Sequence, residues 1–211
     1  MAVHTLDVGL RGTRDYIQGS QILARTGELL VAEATGPVVL LSAKFTRITE
    51  RGVRVALDEA DVADGEELGR AQYDDGGQRR TVRFLEIAGP EAPRIDDVPK
   101  VTSDLVVAAD GSASCAFAIA GTFESYLVAV IEFVKAVHAA RAEGVTDIWF
   151  TALAGARLPL DPAYPTAGRL RLTPKVERLA GDRTQTLGLL DTEGAGAPPQ
   201  FQICFSCVIP T

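Results

Sequence analysis

Large apolar residues follow the same order of spacings twice along the chain. In segments 6–10 and 115–119 every second residue is large and apolar, which is typical of a strand with one buried face. The longer segments that follow, about 14–33 and 123–142, carry apolar residues every three or four positions, as on one face of a helix. The pattern predicts a strand followed by a long helix, and it predicts this pair twice.

The two halves also align residue by residue. A shift of 109 positions, the difference between Gly12 and Gly121, places Gly12–Asp15 on Gly121–Glu124 and 39–43 on 148–152. The offset grows in the later strands, as insertions in loops allow. A constant early offset is the signature of an internal repeat. Thr13 and Thr122 are predicted to cap the two helices, with Asp15 and Glu124 in their first turns.

Alternating segments predict a series of antiparallel strands after each helix. Turns are expected at 74–77 and 193–196, and a hairpin at 106–112 has no counterpart in the first half. The proline-rich segment 88–100 is predicted to link a first repeat, 1–87, to a second, 101–211. The predicted strands are 38–48, 53–58, 69–73 and 80–87 in the first repeat, and 148–153, 169–179, 184–190 and 201–209 in the second.

A strand, a long buried helix and a run of antiparallel strands form an α+β pattern. It resembles the hotdog fold, in which the sheet wraps around one central helix. Two copies in one chain resemble a double hotdog with two long central helices. The resemblance covers nearly the whole chain and rests on topology and repeat spacing, since no signature motif is present.

The bulk composition narrows the possible partners and location. A net charge of −7 and a pI of about 4.9 do not favour nucleic acid, because binding it requires neutralising phosphates. No apolar run approaches the ~20 residues of a membrane span. With three cysteines and no export signal, a disulfide framework is not expected and the cytoplasm is the expected location. No cofactor is predicted.

The resemblance implies a substrate class and a place for the site. Hotdog proteins mostly act on acyl thioesters carried by coenzyme A or an acyl carrier protein, and their sites form beside the start of the central helix. Helix N-terminal amides and the helix dipole can polarise a thioester carbonyl there. The candidates for catalysis are Asp15, Tyr16, Gln18, Glu124 and His4, and those for substrate binding are Thr13, Gly19, Thr122 and Tyr126.

Each candidate also has a structural interpretation. Asp15 and Glu124 could be the carboxylate that many hotdog thioesterases use, or ordinary acids at a helix start. Asp15 is favoured, because the residues after it are unusually polar for a buried helix while those after Glu124 are apolar. His4 is expected to face the core or a subunit contact. His138, about 20 Å along its helix, is expected to face solvent, so neither histidine matches the dehydratase arrangement.

The cysteines could form a metal site, and the arginines could form a docking surface. Cys204 and Cys207 lie three apart on a strand and should face opposite ways, so no metal site is predicted. The arginine group is expected to form a solvated strand face or, alternatively, to dock an acidic carrier protein or a coenzyme phosphate. Its members are Arg47, Arg51, Arg54, Arg79, Arg80 and Arg83.

The leading hypothesis is an enzyme acting on an acyl or polyketide thioester, either a thioester hydrolase or a hydroxyacyl-thioester lyase. The alternative is a non-catalytic hotdog subunit that binds an acyl chain or completes a partner's site. Outer sheet edges and the apolar C-terminal strand 201–209 could each pair with a partner, which favours a homodimer or a hetero-oligomer with another hotdog subunit.

Overall fold

The computed structural model describes residues 3–58, 64–141, 146–161, 163–180, 183–194 and 196–208. The chain divides into two compact units. Unit 1 comprises Met1–Pro99 and Leu158–Asp161, and unit 2 comprises Lys100–Arg157 and Pro162–Thr211. Each unit contains one long helix and antiparallel strands, which confirms the predicted α+β class.

The elements follow one another in chain order. They are β1 (Val3–Thr5), β2 (Leu10–Arg11), α1 (Gly19–Glu33), β3 (Val38–Phe45), β4 (Arg51–Ala56), β5 (Glu67–Asp75), β6 (Gln78–Glu91), β7 (Arg94–Ile95), β8 (Thr102–Val107), β9 (Ala113–Ala118), α2 (Phe123–Arg141), β10 (Thr146–Ala154), β11 (Leu158–Pro159), β12 (Ala167–Ala180), β13 (Arg183–Glu193) and β14 (Phe201–Val208).

In unit 1 the strands pair in the order β1-β4-β6-β5-β3, with β11 also on β3. The β5–β6 hairpin turns where the sequence predicted it. Gly76 and Gly77 adopt φ angles of 57° and 94°, which only glycine reaches without strain, and the Gly77 amide donates to Asp74 Oδ1 at 2.6 Å. α1 packs against β3, and its buried stripe consists of Ile22, Leu23, Thr26 and Leu30.

In unit 2 the order is β10-β14-β13-β12-β9-β8. α2 buries the predicted apolar stripe almost completely. β14 pairs with both β10 and β13, so the described part of 201–209, Phe201–Val208, offers no free edge to a partner, contrary to expectation. The end of the predicted second helix, Ala142 to Gly144, and Ile209 lie outside the described residues.

The predicted start of the first helix is wrong by five residues. α1 begins at Gly19 rather than near Arg14, because the chain before it is bonded elsewhere. Arg94 Nη1 donates to the carbonyls of Gly12 and Arg14 at 3.1 and 3.2 Å. In a helix capped by Thr13, the Arg14 carbonyl would accept an intrahelical hydrogen bond and the Ile17 amide would donate to the Thr13 carbonyl. The Ile17 amide donates to the Thr49 carbonyl instead. Thr13 therefore caps no helix, and Asp15 lies outside α1.

The segment 88–100 contributes strand structure to unit 1. Residues 88–91 extend β6, and β7 pairs in parallel with β2. The division of the chain into two repeats joined by this segment stays a prediction.

Candidate functional site

The residues before α1, 12–18, form a connection that we call the entry segment. Its path is fixed by contacts with distant parts of unit 1. Arg14 Nη1 pairs with Asp97 Oδ1 at 2.7 Å, and the Ile17 amide donates to the Thr49 carbonyl at 2.8 Å. Together with the two hydrogen bonds from Arg94, these contacts hold the entry segment in one conformation at the start of α1.

The first turn of α1 is tied to the chain before β2. The buried Gln21 side chain exchanges two hydrogen bonds with the backbone of Gly9: Nε2 donates to the carbonyl at 3.1 Å, and Oε1 accepts from the amide at 3.2 Å. These two hydrogen bonds satisfy the Gln21 side-chain N–H and C=O and the Gly9 backbone N–H and C=O, all of them away from water. The position of the helix start is therefore set by packing and pairing within unit 1.

The N-terminus of α1 lacks the usual capping groups. Gln18 occupies the cap position without a side-chain hydrogen bond, and no acid lies in the first turn. The amides of Gly19 and Ser20 find no acceptor among the residues that the structure describes. Exposed Asp15 lies four residues before the helix, and no hydrogen bond or ion pair from the described residues engages its carboxylate. Two amides and a carboxylate near this end of α1 thus have no partner among the described residues.

The N-terminus of α2 is built differently, and here the predicted cap is confirmed. The Ser125 amide donates to Thr122 Oγ1 at 3.1 Å, and the Thr122 amide donates back to Ser125 Oγ at 3.0 Å. This reciprocal pair satisfies helix-end donors in the manner of a capping box. Glu124 is half-buried in the first turn, where an acid stabilises the helix dipole. The start of α2 therefore has a side-chain cap, which the start of α1 lacks.

Aromatic rings pack beside the start of α2. Tyr126 and Tyr164 stack with centroids 4.8 Å apart, and Phe123 lies 6.2 Å from Tyr164. The fully buried Tyr126 hydroxyl hydrogen-bonds to Thr192 Oγ1 at 2.7 Å. Burial raises the pKa values of both tyrosines well above the usual range, so both phenols stay protonated. Tyr126, a predicted substrate contact, takes part in an internal packing cluster.

His4 is separated from the other candidates of unit 1. It lies on β1, with Nε2 3.6 Å from Oε1 of Glu33, the last residue of α1. The helix start and Glu33 are fourteen residues apart, which corresponds to about 20 Å. The structure therefore places Asp15, Tyr16, Gln18 and Gly19 near one end of α1 and His4 at the other end.

His138 is buried, so the expectation that it faces solvent is wrong. Its exposed fraction is 4%, and both ring nitrogens are bonded: Nδ1 to the Val134 carbonyl at 2.8 Å and Nε2 to Thr186 Oγ1 at 3.0 Å. A carbonyl can only accept, so Nδ1 carries the proton and Nε2 accepts from Thr186. Burial lowers the pKa of His138 below its usual value. No pattern in the sequence predicted the pairing of His138 with Thr186.

The arginine group is largely neutralised within unit 1. Four of its six members lie within ion-pair distance of a carboxylate. Arg47 pairs with Glu66, Arg51 with Glu86 at 3.5 Å, Arg80 with Asp75 at 2.9 Å and Arg83 with Glu67 at 3.2 Å. Hydrogen bonds from Arg70 and Arg83 hold the pKa of Glu67 below its usual value. Such a surface, with cations and anions interleaved, presents little net positive charge to an acidic partner.

The cysteines are thiols in the structure. Cys115, Cys204 and Cys207 are free. Burial raises the pKa of Cys115 to about 12 and also raises that of Cys207. Metal binding requires the thiolate, so these environments disfavour it. Within the described residues, no cluster of three or more His, Cys, Asp or Glu side chains could hold a metal ion.

Comparisons with known proteins define the fold. No family model matches the chain, and no curated protein matches it in sequence. Among solved structures, the dehydratase domain of the polyketide PpsC from Mycobacterium tuberculosis has a TM-score of 0.56 and 11% identity, over 92% of this chain and 85% of that one. The dehydratase domain from the CurJ module of the curacin polyketide synthase has a TM-score of 0.54 and 8% identity, over 98% and 90%. The chain therefore has the hotdog fold. Neither described helix is long and apolar enough to span a membrane.

Proposed function

We propose that the chain is a double hotdog enzyme that acts on an acyl or polyketide thioester, with its site at the start of α1. The two units each supply the helix and antiparallel strands of one hotdog, and the 109-residue offset relates them in sequence. A superposition of 1–87 on 101–211 tests the duplication directly. Failure of the two helices and their following strands to superpose would contradict it.

One observation carries the proposal: the start of α2 has a reciprocal side-chain cap, and the start of α1 has none. The N-terminus of α2 is closed by Thr122 and Ser125. That of α1 offers the amides of Gly19 and Ser20 beside a connection that bears Asp15. Amides at a helix N-terminus stabilise negative charge that develops on a carbonyl oxygen. A carboxylate nearby can serve as a general base for an attacking water or for a proton of the acyl group.

Replacing the carboxylate tests this role. Asp15→Asn keeps the size of the side chain but removes its basicity, so we expect kcat to fall by about 10²–10⁴-fold. Decanoyl-CoA and decanoyl-pantetheine report hydrolysis by thiol release, and 3-hydroxydecanoyl-CoA reports dehydration by absorbance of the new double bond. The midpoint of thermal unfolding should not change, because Asp15 is exposed and makes no bond to the described residues.

Glu124→Gln in unit 2 is the matched control, because this acid occupies the corresponding place at a closed helix start. We expect it to leave turnover near the wild-type rate. Loss of turnover in Glu124→Gln with full turnover in Asp15→Asn would assign the site to unit 2 and contradict the proposal. Full turnover in both would make both acids structural.

A non-catalytic role is the second candidate, and the positions of the histidines favour it. His4 lies at the far end of α1, and both nitrogens of His138 are engaged within unit 2. No histidine is therefore available beside the start of α1 to act as a general base. A subunit that binds an acyl chain or completes a partner's site would bind the same thioesters without releasing thiol. The carrier would be an acyl carrier protein or coenzyme A, and the expected location is the cytoplasm.

A further inference from the structure

Two hydroxyl groups in the interior of unit 1 lack hydrogen-bond partners. Thr26 and Tyr73 are both fully buried, at 0% exposure. Neither Thr26 Oγ1 nor the Tyr73 hydroxyl has a partner among the described residues. Buried polar groups are nearly always paired, and each exception calls for a physical explanation. Burial also raises the pKa of Tyr73 well above its usual range, so its phenol remains a hydrogen-bond donor.

Both residues lie on elements that are adjacent to β3. Thr26 lies on the buried stripe of α1 that also includes Leu23 and Leu30. Tyr73 lies on the buried face of β5 and pairs with Leu40 of β3, the strand against which α1 packs. The buried residues of this unit also include Leu40 and the stacked rings of Phe45 and Phe84. Such an apolar interior suits an acyl chain, but it leaves two donors without an acceptor.

Unit 2 contains a buried tyrosine whose hydroxyl is hydrogen-bonded within the protein. Tyr126 is as deeply buried as Tyr73, but its hydroxyl is hydrogen-bonded to Thr192 at 2.7 Å. The same type of side chain is therefore satisfied by the protein in unit 2 and left open in unit 1. The Thr184 hydroxyl of unit 2 also lacks a partner, but it is the only such hydroxyl among the described residues of that unit, whereas unit 1 has two.

We propose that the interior of unit 1 binds an oxygen-bearing acyl chain, whose hydroxyl or keto oxygen accepts hydrogen bonds from Thr26 and Tyr73. This inference rests on the proposed entry of a thioester at the start of α1. Thr26 is seven residues past Gly19, which is about 10 Å along the helix axis. The recognised oxygen is therefore remote from the thioester carbonyl, and it sets chain specificity without taking part in the reaction.

The first test needs no ligand. Tyr126→Phe breaks a hydrogen bond, so we expect its unfolding midpoint to fall by about 2–4 °C. Tyr73→Phe removes a hydroxyl that bonds to nothing, so we expect its midpoint to stay unchanged or to rise. A fall in Tyr73→Phe equal to that in Tyr126→Phe would show that the hydroxyl is already paired, and it would overturn the inference.

The second test measures chain preference by calorimetric titration of the full chain. The probes are the coenzyme A thioesters of decanoic acid and of hydroxydecanoic acids with the hydroxyl at successive positions. We expect wild type to prefer one remote hydroxyl position over the plain chain. Thr26→Val and Tyr73→Phe should each reduce that preference about fivefold, the value of one hydrogen bond. Thr173→Val, which changes an exposed threonine of β12, should keep it.

The outcomes separate this inference from the enzymatic proposal. Turnover without any preference among the probes would overturn the inference alone. A preference that depends on Thr26 and Tyr73 without release of thiol would support the inference and contradict the enzymatic role. Equal affinity for plain and oxygenated chains, or no binding of either, would overturn the inference.

Discussion

His138 should make the stability of the chain depend on pH between about 7.5 and 5.5. In the folded state, the ring is buried and neutral, with its Nε2 accepting from Thr186. Burial is the largest cause of its lowered pKa, and the nearby Arg141 cation acts in the same direction. The bond to Val134 and the charge of Glu177 oppose the shift. The folded chain therefore takes up a proton at His138 at lower pH than the unfolded chain does.

The sign of the effect follows from proton linkage. Below the unfolded histidine pKa of about 6.5, the unfolded state holds a proton that the folded state does not. The free energy of unfolding then decreases as the pH falls, by at most about 1.4 kcal/mol per pH unit. The decrease ends once the pH passes the lowered folded pKa. Above about pH 7.5, the contribution of this residue does not change.

The environment of His138 limits how far the penalty can grow. On protonation, Nε2 becomes a donor, so Thr186 must turn its single hydroxyl proton elsewhere. Glu177 Oε1 lies 3.4 Å from Thr186 Oγ1 and can accept a hydrogen bond from the hydroxyl. The same oxygen also lies 4.0 Å from Arg141 Nη1. The charge of Glu177 also acts on Cys207, whose pKa is raised mainly by burial, so Cys207 stays a neutral thiol. With its hydroxyl reversed, Thr186 accepts a hydrogen bond from the imidazolium and donates one to the Glu177 carboxylate. We therefore expect the free energy of unfolding to fall gradually with pH rather than abruptly.

The assay is urea unfolding at a series of pH values, comparing wild type with His138→Gln. We expect the variant to lose most of the dependence between pH 7.5 and 5.5, since Gln does not titrate. The chain has two histidines, so His4→Gln is the matched control and should keep the dependence due to His138. Thr186→Val should lower stability at pH 8 by about 1 kcal/mol. A His138→Gln profile parallel to wild type across this range would refute the assigned burial and protonation.

Other parts of the structure give further predictions. Arg94→Met removes the hydrogen bonds that hold the entry segment, so it should speed tryptic cleavage after Arg14. Arg79→Met, which changes an exposed arginine, is the control and should not. Equal cleavage rates in the two variants would show that Arg94 does not hold the entry segment in place. Thr122→Ala should cost about 1 kcal/mol, or about 2–4 °C in unfolding midpoint, and Thr13→Ala should cost nothing, because Thr13 caps no helix. Light scattering at micromolar concentration should give a mass near twice 22.4 kDa, and a mass near 22.4 kDa would show that a single chain is sufficient.

The start of α1 shows what local sequence cannot reveal. The segments Gly12–Asp15 and Gly121–Glu124 are nearly alike, each with a glycine, a threonine and an acid in the same places. The second begins a helix and the first does not, because Arg94 binds the backbone carbonyls of the first. That contact joins residues about eighty positions apart, so no local pattern contains it. Of the polar residues after Asp15, Tyr16 and Gln18 lie in the connection before the helix, whereas Gly19 and Ser20 form the first turn of α1.

His138 shows a signal that was present in the sequence. It follows Val134 by four residues and Ile131 by seven, so it lies on the same stripe of α2 as these buried residues. Helical periodicity alone therefore predicts a buried ring. Its partner Thr186 comes from another part of the chain, and only the pairing of β13 in the folded sheet brings the two together. The periodicity could have placed the ring, but it could not have given its hydrogen bond.

The contrast between the two units bears on why both would be kept in one chain. In unit 2, Tyr126 and His138 are paired internally, and such hydrogen bonds each contribute about 1 kcal/mol to stability. In unit 1, the Thr26 and Tyr73 hydroxyls are left unpaired, and each costs about 1–3 kcal/mol. Proteins tolerate such costs mainly at functional sites, where a ligand supplies the missing partner. Among the described residues, unit 2 also leaves one buried hydroxyl, that of Thr184, without a partner. The units therefore differ in number, two such hydroxyls against one, and the proposed ligand would offset the cost in unit 1.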